Sequence, residues 1–237
     1  MTITGILFDK DGTLFDFNGT WCRFTELLLT DLADGDTDRA TALGRAVGYD
    51  LTTRRFAPDS PIIAHTPDEI ALDLLPHLPG KTVAALVAQM NALSAEVGPV
   101  PATALAPLLD HLRARGLKLG VATNDAEAAA RAQLVSLGLA DHFDYIAGFD
   151  TGHGGKPQPG MLLAFAVAHG LTPSEVLMVG DSRHDLIAGR AAGMRTLAVL
   201  TGIAETADLA PLAEAVLPDI GHLPGWLDAH GHRKSGD

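Results

Sequence analysis

Residues 3–14 read Ile3-Thr4-Gly5-Ile6-Leu7-Phe8-Asp9-Lys10-Asp11-Gly12-Thr13-Leu14. A short apolar run rich in β-branched side chains, residues 3–8, stops at an aspartate, and Asp11-Gly12 supplies turn chemistry immediately after it. The stretch predicts a buried strand that delivers two carboxylates to the loop at its carboxyl end. Asp9 and Asp11 lie two residues apart, so they share a face if the extended conformation persists past residue 8.

Downstream of this strand the chain changes character twice. From residue 17 to about residue 97, helical patterns follow one another without a clear strand. Residues 21–32 place Phe24, Leu27, Leu28 and Leu32 on one side of a helix. Thr66-Pro67-Asp68-Glu69 combines an N-cap, a proline at the first helical position and acids in the first turn. Residues 82–97 carry Val83, Leu86, Val87, Met90 and Leu93 at helical spacing, and residues 56–61 read as a loop between these helices. After Gly98-Pro99 helices and strands alternate: helix 105–115, strand 117–122, helix 126–137, strand 145–149, helix 161–169, strand 176–179, helix 185–192 and strand 196–200.

That alternation predicts an α/β fold, a doubly wound and mainly parallel sheet covered by helices on both faces, with an inserted α-helical segment. The implied division is an α/β core of residues 1–16 and 98–237 and a helical insert of residues 17–97. Residues 230–237 read as a frayed tail. In such a sheet the carboxyl ends of the strands gather at one edge, where ligands bind.

Composition narrows the functional classes. Of 237 residues, 47% are hydrophobic and 19% charged, which argues against a mainly disordered chain. The balance of 17 Lys+Arg against 29 Asp+Glu gives a formal charge of −12 and argues against a general affinity for nucleic acid or anionic lipid, while leaving room for a local basic pocket. The single cysteine, Cys22, allows no intrachain disulfide or zinc knuckle and reads as a small packed side chain. The first residues lack the basic start of a signal peptide, and no apolar run reaches the roughly 18 residues of a membrane helix. The expectation is a cytoplasmic protein, monomer or homodimer, with no nucleic-acid or membrane partner.

Three predicted strands end in polar residues: Asp9 and Asp11, Thr123 and Asn124, and Asp181 followed by Asp185. Lys156, in the loop Gly154-Gly155-Lys156-Pro157, can reach the same edge. Clustered carboxylates repel, so some must pair, protonate or hold a cation. A hard ion with oxygen ligands, Mg²⁺, fits that inventory, and together with Lys156 it makes an acidic site hospitable to a phosphate dianion. One of Asp9 and Asp11 can then attack phosphorus while the other gives a proton to the leaving oxygen and later deprotonates water. Thr123 and the N–H groups after it, read as a helix start, suit phosphate oxygens, and Lys156 neutralises charge on the transferring group. Asp181 and Asp185, four apart, share a face if a helix begins between them. In the insert, Arg54 and Arg55 are the candidates for a second anionic group on the substrate.

Other motif readings fail. Asp11-Gly12 lacks the further acids of a calcium loop. Gly154-Gly155-Lys156 lacks the earlier glycine and the Ser/Thr of a nucleotide-binding loop. Gly180-Asp181-Ser182-Arg183-His184 lacks the second glycine of a serine-hydrolase elbow, and the ten histidines form no His-Glu-x-x-His pattern.

The same residues carry a family resemblance. Asp9-Lys10-Asp11-Gly12-Thr13-Leu14 resembles the first motif of the haloacid dehalogenase superfamily, Val121-Ala122-Thr123-Asn124 its second, Gly155-Lys156-Pro157 its third, and Val179-Gly180-Asp181-Ser182-Arg183-His184-Asp185 its fourth. Order and intervals fit over roughly residues 1–16 and 98–221, and the insert resembles the small cap of the phosphoglycolate phosphatase-like branch. The resemblance implies that Asp9 is the nucleophile, Asp11 the acid/base, and Thr123, Asn124 and Lys156 the phosphate-binding groups. It also implies Mg²⁺ held by Asp9, the backbone carbonyl of Asp11 and Asp181, with Asp185 alongside. The resulting expectation is a Mg²⁺-dependent phosphatase acting on a small phosphorylated metabolite, phosphoglycolate-like or a sugar phosphate, through an aspartyl-phosphate. The alternatives are a phosphomutase similar to β-phosphoglucomutase and a non-catalytic phosphate-binding module. Residues 15–21 depart from the short polar sequence of many members of this branch, which bears on the substrate and not on the chemistry.

Overall fold

The computed structural model describes residues 2–57, 59–63 and 65–230. In chain order its elements are β1 (Gly5–Phe8), α1 (Phe17–Leu32), α2 (Thr37–Ala46), β2 (Tyr49–Asp50), β3 (Arg55–Phe56), α3 (Pro67–Leu74), α4 (Val83–Glu96), α5 (Leu105–Ala114), β4 (Lys118–Ala122) and α6 (Glu127–Ser136). They continue with β5 (Tyr145–Ala147), α7 (Gly160–His169), β6 (Val176–Gly180), α8 (Arg183–Ala191), β7 (Arg195–Val199), α9 (Thr206–Leu209), β8 (Val216–Leu217) and α10 (Leu223–His230). Six strands form one parallel sheet in the order β5-β4-β1-β6-β7-β8. The expected α/β, doubly wound architecture is therefore what the chain adopts.

β1 lies between β4 and β6, with Phe8 paired to Val121 on one side and Val179 on the other. The chain thus leaves β1 in opposite directions across the sheet, and the three strand ends finish level at the point where the order reverses, the usual ligand crevice of such sheets. Alternation along each strand divides the core in two. Ile6, Phe8, Val121, Val179 and Leu197 pack with α5, α6 and α10 on one face, while Leu7, Ala122 and Met178 pack with α7 and α8 on the other. Two strand glycines let α7 approach closely: a Cβ at Gly5 would lie 3.1 Å, and at Gly120 3.0 Å, from the Phe165 ring. α7 itself stops at Gly170, whose φ of 64° is the left-handed conformation that glycine enters without steric cost.

Residues 17–97 carry α1 to α4 and pack around their own apolar cluster, which includes Phe24, Leu28, Leu43, Tyr49, Leu74 and Leu86. This segment also holds what the sequence reading did not anticipate. β2 and β3 pair antiparallel, Tyr49 with Phe56, but at two residues each they are too short for alternation to register. α2 is capped by Asp36, whose side chain accepts from Asp38 N and Arg39 N at 2.9 and 3.1 Å. Phe56, read as loop, belongs to β3. The strand expected over residues 145–149 ends at Ala147, because the Phe149 N–H turns to Asp125 O at 3.1 Å. α9, β8 and α10 were likewise not anticipated, and apart from His230, which ends α10, the expected frayed tail lies outside the described residues. Among the described residues, no helix is long and apolar enough to cross a membrane.

The role of Phe165 in clamping α7 to the sheet is measurable. Phe165→Ala should cost about 3–5 kcal/mol of stability in urea denaturation. Val167→Ala on the same helix, at a side chain 82% exposed, should change it by no more than about 0.5 kcal/mol.

Candidate active site

The carboxyl edge of the sheet brings Asp9, Thr123, Asp181 and Asp185 together with Lys156 from the loop before α7. All five are buried. Lys156 Nζ lies 2.5 Å from Asp9 Oδ1 and 2.7 Å from Asp185 Oδ1, so one ammonium joins the end of β1 to the start of α8. α8 begins at Arg183, between Asp181 and Asp185 and two residues before the expected start at 185, because Ser182 caps it. Asp185 is fixed by its place in the helix: its Oδ2 accepts from Ser182 N at 3.0 Å and Ser182 Oγ at 2.7 Å, a capping box that leaves Oδ1 for Lys156.

Asp181 is held differently. Thr13 Oγ1 is 3.4 Å from its Oδ1, and the carboxylate fits against two glycines. A Cβ at Gly12 would lie 2.3 Å, and at Gly202 1.7 Å, from Asp181 Oδ2. Gly12 also has φ at 83°, so both space and backbone conformation select glycine there. Thr201 Oγ1 donates to Gly12 O at 2.5 Å and closes this cradle.

Asp9, Asp181 and Asp185 each offer an oxygen within 4.8 Å of the others. Three carboxylates therefore face one ammonium. Burial lifts Asp9 to about 7 against the pull of Lys156, with Asp185 and Asp11 adding to the rise. Burial, then Asp185 and Asp9, push Asp181 well above the usual carboxylate range. Burial opposes the charge on Lys156, yet Asp185 and Asp9 outweigh it and hold the ammonium above its ordinary value. The surplus of buried negative charge and the all-oxygen donor set fit a small hard cation.

Asp11 does not stay on the face of Asp9. β1 ends at Phe8, and the chain turns at once, with Leu14 N bonded to Lys10 O at 3.0 Å and Gly12 N to Phe15 O at 2.7 Å. The Asp11 carboxylate meets Lys10 instead, Oδ2 to Nζ at 2.6 Å, although both aspartates line the same cavity. Burial raises Asp11 above its ordinary value despite that ammonium.

Thr123 Oγ1 accepts from Asp125 N at 3.0 Å. α6 starts at Glu127 with Ala126 as its N-cap, within one residue of the helix expected from 126, so Thr123 lies three residues before the cap, and Asp125 Oδ1 already occupies Ala126 N at 2.8 Å. Asn124 bridges to the lysine loop, its Nδ2 donating to Lys156 O at 2.9 Å and its Oδ1 accepting from Lys156 N at 2.7 Å. Arg54 and Arg55 are not brought to the cavity. Arg54, at φ 55°, turns outward to Glu26 with contacts of 2.6 and 2.9 Å, and Arg55 is exposed beside it on the β2–β3 ribbon.

The wall opposite the strand ends comes from the 17–97 segment and is largely apolar: Phe17, Trp21 and Phe24 of α1, Ile62 and Ile63, and Met90 of α4, with Asn91 and His65 among them. Sequence reasoning missed Lys10, Asp125, Gln133 and Gly202. Lys10 carried no reliable local signal, because strand alternation would turn it away from both aspartates, whereas the turn after Phe8 brings its ammonium onto Asp11. Gly202 carried none, because its closeness to Asp181 joins residues far apart in the chain.

Comparison with known proteins agrees with this architecture. Residues 3–193 match the family model of haloacid dehalogenase-like hydrolases. The chain is 33% identical over 233 residues to the phosphoglycolate phosphatase of Rhodospirillum rubrum, covering 94% of this chain and 90% of that relative. It is 30% identical to that of Salmonella typhi, covering 84% and 82%. The crystal structure of a predicted phosphoglycolate phosphatase from Haemophilus somnus 129pt superposes with a TM-score of 0.75 at 18% identity, over 95% of this chain and 98% of that one. With the four motifs gathered at one sheet edge and the match running through nearly the whole chain, this protein belongs to the haloacid dehalogenase-like hydrolase family.

Proposed function

We propose that this chain is a Mg²⁺-dependent phosphatase that hydrolyses a small phosphomonoester through an aspartyl-phosphate on Asp9. The observation that carries the reading is the buried Lys156 ammonium shared by Asp9 and Asp185, with Asp181 close enough to complete an oxygen cage. Asp9, Asp181, the backbone carbonyl of Asp11 and, alongside, Asp185 would hold Mg²⁺. When bound, the ion supplies positive charge for the phosphoryl oxygens and fixes their orientation.

With Asp9 Oδ1 engaged by Lys156, Asp9 Oδ2 attacks phosphorus. The bond from phosphorus to the leaving oxygen breaks, and that oxygen takes a proton from Asp11. Lys156 offsets charge on the transferring group, and Thr123 and Asn124 hold the phosphate end of the substrate. In the second half, Asp11 takes a proton from water, the water oxygen attacks phosphorus, and the bond to Asp9 breaks to release phosphate. Residues 17–97 act as a cap over a core of residues 1–16 and 98–237, and the apolar wall excludes bulk water from the phosphoenzyme. The curated relatives, named for hydrolysis of phosphoglycolate, support water as acceptor and a small metabolite, phosphoglycolate-like or a sugar phosphate, as substrate.

Phosphate release from a panel of small phosphomonoesters tests this directly. Release should require Mg²⁺, stop on chelation, and fall by about four orders of magnitude or more in Asp9→Asn. Release that survives in that variant sinks the mechanism. The Asp181 cradle gives a second test: Gly202→Ala should raise the Mg²⁺ concentration for half-maximal activity at least about tenfold. Gly225→Ala, where a Cβ meets nothing within 4 Å, should leave it unchanged.

A further inference from the structure

Lys10 is fully buried, 0% exposed. Its ammonium has three partners for its three donors: Asp11 Oδ2 at 2.6 Å, Asp125 Oδ2 at 3.2 Å and Gln133 Oε1 at 2.6 Å. The phenyl ring of Phe15 and the indole of Trp21 lie 5.8 and 5.9 Å from it, within cation–π range. The far ends of these partners meet α4. Ser94 Oγ donates to Asp125 Oδ2 at 3.1 Å, and Gln133 Nε2 donates to Ser94 O at 2.8 Å. A closed polar ring thus runs from α4 through Asp125 and Gln133 to Lys10.

The consequence falls on Asp11. One of its oxygens is held by Lys10, while the other, Oδ1, is buried in a residue that lines the cavity, with the Trp21 indole the further polar group at this carboxyl and no well-formed hydrogen bond to Oδ1. Packing alone does not account for an ammonium here, since a methionine would fill similar space without burying a charge. We propose that Lys10 is a positioning residue. It clamps Asp11 Oδ2 so that Oδ1 is the oxygen presented to the leaving group, and it ties that orientation to α4 through Ser94. The proposal rests on the reading of Asp11 as the proton donor. As Asp9 bonds to phosphorus and the ester bond breaks, the proton passes from Asp11 Oδ1 to the leaving oxygen, while Lys10 neither gains nor loses one.

The dependence on leaving group separates this role from a structural one. An alkyl phosphate needs its leaving oxygen protonated, whereas a nitrophenyl phosphate does not, and kcat/KM reports only the steps through transfer to Asp9. Lys10→Met should lower kcat/KM about a hundredfold on an alkyl phosphate and less than about fivefold on nitrophenyl phosphate, in the pattern of Asp11→Asn. Ser94→Ala, which keeps the buried charge and the Gln133 bond to the residue-94 carbonyl and removes only the Ser94 Oγ bond to Asp125, should show the same selective loss at smaller size, and it remains informative if Lys10→Met does not fold. Equal losses on both esters in Lys10→Met, or in Ser94→Ala where only that variant folds, overturn the clamp while leaving the phosphatase reading intact, provided Asp11→Asn remains selective. Equal losses in Asp11→Asn itself overturn the clamp together with the assignment of Asp11 as proton donor.

Discussion

A single ammonium organises the catalytic edge of this protein. Lys156 sits between Asp9 and Asp185, out of water, and each of the three would be costly to bury alone. Their mutual contact requires that β1, the loop before α7 and the start of α8 arrive at the same level. The register that pairs Phe8 with Val179 supplies this. The capping box at Ser182 then spends one Asp185 oxygen on the helix and leaves the other for the lysine. Helix start, strand end and loop are thereby one electrostatic unit.

The remaining carboxylates are sorted by what surrounds them. Asp11 and Asp125 share the second buried lysine, Lys10, on the side toward α4. Asp181 meets neither ammonium directly and is shaped by the glycines at positions 12 and 202. Five aspartates within a small volume thus have three distinct environments: paired to Lys156, paired to Lys10, and cradled by backbone. Different environments push the protonation preferences of like groups apart, which is what the proposed division into nucleophile, proton donor and cation cage requires of a single side-chain type.

The residues opposite this edge give the cavity its other character. α1 and α4 present Phe17, Trp21, Phe24 and Met90 toward the carboxylates. An apolar wall lowers the local dielectric and strengthens every charge interaction across the cavity. The adjacent arginines Arg54 and Arg55 stay at the surface of the segment, where Glu26 on α1 holds the Arg54 guanidinium.

Much of this was legible in the chain. Residues 3–8 announced a buried strand, the alternation after residue 98 a parallel sheet, and four short motifs the residues of its edge, because strand, turn and helix signals are local and depend on neighbours within a few positions. The same locality fixed the capping box of α8, whose donor and acceptor lie three residues apart. Two-residue strands such as β2 and β3 left no periodicity to read. Pairing Asp11 with Lys10 rather than aligning it with Asp9 depended on the turn that follows Phe8, closed by hydrogen bonds to Lys10 O and Phe15 O. The approach of Gly202 to Asp181, the ring joining Lys10 to Ser94 and Gln133, and the outward turn of Arg54 were decided only by tertiary structure. Each joins side chains or backbone distant in sequence, and their meeting is set by how sheet register and helix packing share out buried charge.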